Sequence, residues 1–132
     1  MRPMLKPLLL AALAAFFAAI FAPQLARADE GPALRLVMIE EAGCMWCARW
    51  NSEIAPIYPK TSEGKAAPLR RIDIQQIGDA DIDFKSKPHF TPTFILVQNG
   101  VERSRIEGYP GEDFFWGLLG VMIQQAADPP RN

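Results

Sequence analysis

The chain has 132 residues, 49% of them hydrophobic and 22% charged, with 14 Lys and Arg against 15 Asp and Glu. Without a basic excess there is nothing to hold nucleic acid or an anionic lipid surface, and the length suits one domain with a single modest core. Two cysteines occur, Cys44 and Cys47, three residues apart.

Arg2 and Lys6 precede an unbroken apolar run from Leu8 to Ala22, which ends in Pro23 and Ala26-Arg27-Ala28. Charged start, apolar middle and small-x-small end predict a secretory signal peptide over residues 1–28, cleaved after Ala28. The competing reading is a retained anchor, but a span takes about 20 apolar residues and this run has about 15. The domain would then be residues 29–132. Removing Arg2, Lys6 and Arg27 leaves 11 basic residues against 15 acids, a net charge of about −4. Export to the periplasm places the cysteines where disulfides persist.

Leu34 to Ile39, bounded by Gly31-Pro32 and Gly43, reads as a buried strand. From Cys44 the period becomes helical: Trp46, Trp50, Ile54 and Ile57 form one apolar face, Pro56 should kink the helix and Pro59 should end it. Leu69 to Ile74 is a second strand, and Gln75 to His89 is polar and irregular with room for one short helical turn. Phe94 to Val97 and Val101 to Glu107 flank Asn99-Gly100, a strong hairpin signal. Glu112 and Asp113 open a last helix with Phe115, Leu118, Leu119, Met122 and Ile123 as its buried stripe.

Two cysteines at this spacing can be a redox couple, half of a metal site or a small structural loop. Cys44 falls where a strand turns into a helix start, whose unpaired N–H groups and dipole favour a thiolate. That makes Cys44 the nucleophile and Cys47, one turn in, the shielded resolving thiol. A structural disulfide needs no such placement, and so small a loop removes little chain entropy. The redox reading is the stronger. Cys44, Cys47 and His89 fall short of the four ligands of a structural zinc site, and no second close pair exists. Asp79, Asp81 and Asp83 begin like a calcium loop, but Phe84 and Phe90 stand where its glycine and glutamate belong. No metal and no cofactor is expected.

A strand feeding Cys-x-x-Cys at a helix start, with Thr91-Pro92-Thr93 ahead of a hairpin, resembles the thioredoxin superfamily. The resemblance implies an α/β protein of minimal thioredoxin-like fold, a four-stranded mixed sheet flanked by helices. It implies that Pro92 is the cis-proline and that Thr91 offers its backbone to substrate. The runs EEAGCMWCARWNSEIAPIYP, FTPTFILV and RIEGYPGEDFFWGLLG further resemble small exported thioredoxin-like proteins of bacterial sulfur-oxidation (Sox) systems. Those imply a reductant of protein disulfides or carrier thiols, and since such a protein cannot stay reduced outside the cytoplasm unaided, a membrane electron donor is expected as its partner.

Departures from thioredoxin bear on mechanism. Met45-Trp46 replaces Gly-Pro between the cysteines and lacks the histidine of strongly oxidising relatives, which argues against a strong oxidant. Met45 and Trp46 are expected as substrate contacts and Trp50 as core. The position of thioredoxin's buried aspartate holds Met38, so Glu40, of the same strand parity, is the candidate for moving a proton at Cys47, with Glu41 the alternative. Arg49 reads as a solvated helix residue, His89 as a loop histidine without a role and Tyr109 as packing. The expectation is a monomeric enzyme with a protein thiol or disulfide as substrate. The competing classes are a non-catalytic binding module with a static disulfide and an oxidase or isomerase.

Overall fold

LRLVMIE becomes strand β1 (Leu34–Glu40), with Leu36 to Ile39 all buried because both faces of the sheet are covered. The computed structural model describes residues 33–128, and the leader expected over residues 1–28 lies outside the described residues. After β1 come α1 (Met45–Glu53), a 3₁₀ turn (Tyr58–Lys60), α2 (Ser62–Ala66) and β2 (Leu69–Asp73). A 3₁₀ helix (Ile74–Asp79), β3 (Thr93–Gln98), β4 (Val101–Glu107) and α3 (Glu112–Ala127) complete the domain. Among these helices none is long and apolar enough to cross a membrane.

The four strands form one mixed sheet in the order β2-β1-β3-β4, with β1 and β2 parallel and the other neighbours antiparallel. Leu36, Met38, Phe94, Leu96 and Ile106 belong to the larger core, with Cys47, Trp50 and Ile54 of α1 and Phe115, Leu119 and Met122 of α3. Val37, Ile39, Ile72, Ile95 and Val97 form a second core under Ile77 of the 3₁₀ helix and the half-buried Ile82 and Phe84. The stretch expected to be polar and irregular therefore covers a sheet face. The Asn99-Gly100 turn takes positive φ at both residues, 52° and 81°, the two-residue hairpin geometry.

Three helix expectations need correction. Pro56 ends α1 rather than kinking it: the helix stops at Glu53 with Ile54 as its cap. Proline has no N–H to donate and crowds the carbonyl four residues back, and here no long packed helix compensates. Trp50 and Ile54 are buried, but Trp46 and Ile57 are exposed and do not share their face. In α3, Leu118 is likewise exposed and Ala126 takes a place in the buried stripe with Phe115, Leu119 and Met122.

A register shift in β3·β4, where Leu96 faces Ser104 but Val97 faces Glu102, turns Glu102 and Arg105 to the same side. Glu102 is 3% exposed, and its carboxylate accepts from Arg105 Nε at 2.6 Å, Arg105 Nη2 at 2.7 Å and the Lys85 N–H at 2.9 Å. Arg105 Nη2 also donates to the Ser86 carbonyl at 2.7 Å, which pins the segment leading toward Thr91. Burial pushes the Glu102 carboxyl up, but the hydrogen bonds and charges of Arg105 and Lys85 together hold it below the usual carboxylate range. A carboxyl lowered in the folded state contributes stability above its unfolded pKa of about 4.3 and loses it as pH falls through the folded value. Wild type is therefore expected to lose more melting temperature than Glu102→Gln between about pH 5 and pH 3. Parallel losses in thermal unfolding scans of the two proteins would remove Glu102 as the cause.

Candidate active site

The turn Glu41-Ala-Gly-Cys44 carries β1 into α1. Gly43 has φ +79°, open to glycine and strained for other residues, and the Cys44 N–H donates to the Glu41 carbonyl at 3.4 Å. Cys44 is thereby the N-cap of α1, and its Sγ accepts the Cys47 N–H at 3.1 Å. Cys44 and Cys47 are joined by a disulfide, with Cα atoms 5.2 Å apart. Cys44 is half-buried and Cys47 is 3% exposed. Once the bond is reduced, the same N–H and helix field act on a Cys44 thiolate.

Strand register brings the second half of the site to this end of the sheet. Ile39 pairs with Thr93, so the turn after β1 lies beside the segment before β3. The Thr91–Pro92 peptide bond is cis. Thr91 Oγ1 donates to Glu41 Oε1 at 2.7 Å and ties the two loops together. The Gly108 N–H donates to the Pro92 carbonyl at 2.7 Å, and Thr93 Oγ1 to the Phe90 carbonyl at 2.7 Å. Met45 is 73% exposed, Trp46 48% and Phe90 62%. Phe90 does not stand out in the sequence as a site residue, because an apolar residue in a polar loop carries no local signal of exposure.

The two carboxylates expected to serve proton transfer both have other partners. Glu40 Oε2 accepts from Arg71 Nη1 at 2.7 Å, and Glu41 accepts from Thr91. Arg71 reaches further, to Asn51 Oδ1 at 2.8 Å and Met38 Sδ at 3.6 Å, with its guanidinium 5.5 Å from the Trp50 ring centroid. Met38 is fully buried in the cluster that holds Cys47 and Trp50. His89 is exposed, and Tyr109 is buried with its hydroxyl on Glu53 at 2.6 Å. Among the described residues no group of three or more His, Cys, Asp or Glu gathers as a metal site.

Against solved structures the chain is similar to the periplasmic thioredoxin SoxS from Paracoccus pantotrophus in its reduced form. The two share 50% sequence identity at a TM-score of 0.68, over 70% of this chain and 98% of that one. The chain belongs to the thioredoxin superfamily. A thioredoxin from Malassezia sympodialis (Mala s 13) matches at a TM-score of 0.52 and 17% identity over 70% of this chain and 77% of that one, which shows the fold alone. No protein-family model and no curated protein matches. The four-stranded mixed sheet, its flanking helices and the cysteine pair at a helix start are those of this superfamily. They support a thiol–disulfide oxidoreductase.

Proposed function

We propose that this thioredoxin-like protein is an exported reductant of protein disulfides or carrier thiols, in which Cys44 attacks and Cys47 resolves. The observation that carries it is the asymmetry of the pair: Cys44 Sγ caps the helix and accepts the Cys47 N–H, while Cys47 lies 3% exposed beneath it. The Cys44 thiolate attacks one sulfur of a substrate disulfide, forms a mixed disulfide and expels the first substrate thiolate. Cys47 loses its proton and attacks Cys44 Sγ, which closes the Cys44–Cys47 bond and expels the second. Two electrons thus pass to the substrate, and its two thiolates take up protons.

Met45, Trp46, Thr91 and Pro92 supply the docking surface, and Glu40 is the carboxylate proposed to move the Cys47 proton. Glu40 lies on the strand parity of Met38, which packs with Cys47, and Arg71 Nη1 holds its carboxylate in place at 2.7 Å. The periplasmic setting of SoxS supports export and residence in the same compartment here. A dithiol donor must reset the pair, and in an oxidising compartment a membrane protein is the proposed source. The pair is expected to equilibrate near about −270 mV against dithiothreitol buffers, as thioredoxin-like reductants do. A potential above about −180 mV would make the protein an oxidase or isomerase instead.

A further inference from the structure

Trp46, Arg49 and Glu53 follow one another on α1 at steps of three and four, so their side chains line one face. The Arg49 guanidinium carbon lies 5.7 Å from the Trp46 ring centroid. Arg49 Nε donates to Glu53 Oε1 at 2.9 Å, and Tyr109 Oη donates to the other carboxylate oxygen, Glu53 Oε2, at 2.6 Å. Tyr109 is anchored in turn: it is buried in the larger core, with its ring 6.1 Å from that of Phe115.

The Arg49 contacts to Trp46 and Glu53, taken alone, are ordinary surface pairs of small worth. Their connection sets them apart. The chain begins on a buried phenol between β4 and α3 and ends on an exposed indole between the two cysteines. It also has one protonation state near neutral pH. Burial and the Glu53 carboxylate push the Tyr109 phenol up. The Tyr109 hydroxyl and then Arg49 hold the Glu53 carboxyl below the usual range.

We infer that Glu53 is a positioning residue for substrate capture: anchored by Tyr109, it holds Arg49 against one face of Trp46 and so fixes the indole beside Cys44. The inference deepens the proposed function and rests on its reading of Trp46 as a docking surface. The substrate class it favours is a protein that sets an apolar side chain beside its disulfide, against the exposed surface of the indole. Small disulfides, which bury no such side chain, gain little from it.

The test uses the full-length protein labelled with fluorotryptophan, with the Trp46 resonance identified by its loss in Trp46→Phe. Glu53→Gln keeps the side-chain shape and an acceptor for Tyr109 but removes the charge that holds Arg49. It is expected to move the Trp46 fluorine resonance and leave those of Trp50 and Trp116 in place. KM for reduction of insulin should rise about three- to five-fold, the scale of an exposed cation–π contact, with kcat retained. KM for cystine should not follow. Arg49→Met should have the same effect, and the double variant should be no worse than either single one, because both break one chain. An unmoved Trp46 resonance, or a moved one with insulin KM unchanged, would overturn the inference while leaving the oxidoreductase reading intact. So would an equal rise in KM for cystine. A wild-type protein inert toward both disulfides would instead sink the functional reading, and this inference with it.

Discussion

Cys47→Ser is expected to trap a mixed disulfide through Cys44 when the reduced variant meets a protein disulfide, and to turn over about 10³-fold or more slowly than wild type. The size follows from geometry: one helical turn holds the resolving sulfur against Cys44, at an effective concentration no free thiol in solution matches. Cys44→Ser should trap nothing, because the remaining thiol at position 47 is buried and substrate cannot reach it. Non-reducing electrophoresis of the two variants with a disulfide substrate separates the cases. A static binding module would trap nothing with either variant, and trapping through Cys47 alone would reverse the roles of the two sulfurs.

Trp50→Ala is expected to destabilise the fold by about 3–5 kcal/mol, the usual cost of truncating a fully buried aromatic. Trp50 has no exposed surface, and its ring lies 6.2 Å from Tyr58, 5.2 Å from Phe94 and 5.8 Å from Phe115. Against a total of about 5–15 kcal/mol for a domain, the loss is large. It should lower the melting temperature by at least about 12 °C, at about 4–8 °C per kcal/mol for a domain of this size. Trp50→Phe should cost much less, since the buried Trp50 Nε1–H has no hydrogen-bond partner among the described residues and its removal forfeits no bond. The half-buried Trp116, stacked on Tyr58 at 6.0 Å, is the internal comparison, and Trp116→Ala should fall between the two. A melting shift of only a few degrees in Trp50→Ala would mean that this ring does not anchor α1 to the sheet.

Features encoded within a few neighbouring residues are legible in the amino-acid sequence. The apolar LVMI run, the Asn99-Gly100 turn and the acids that open α3 each act through local backbone preference, and each element forms where they stand. The helix start at Cys44 is of the same kind, because Gly43 and the strand before it suffice to place it. Helix α2 is not legible in this way, although Thr61 caps it through the Gly64 N–H at 3.0 Å. Its five residues carry no periodic apolar signal. Gly64 is there for a tertiary reason, since a Cβ at that position would lie 1.8 Å from the Tyr58 carbonyl oxygen.

By itself, then, the sequence determined the order of the strands and longer helices, the hairpin and the position of the cysteine pair at a helix start, all of them products of near-neighbour backbone chemistry. Partners distant in the chain were decided by the tertiary structure alone. Tyr109 meets Glu53 across 56 residues and Thr91 meets Glu41 across 50, and the register shift at Val97 sets Glu102 and Arg105 on one side of the sheet. Arg71 engages Glu40 across 31 residues and gives the proposed proton carrier an ion pair. Such pairings depend on strand register, where a slip of one residue reverses every side chain, and on packing that no local window of sequence contains.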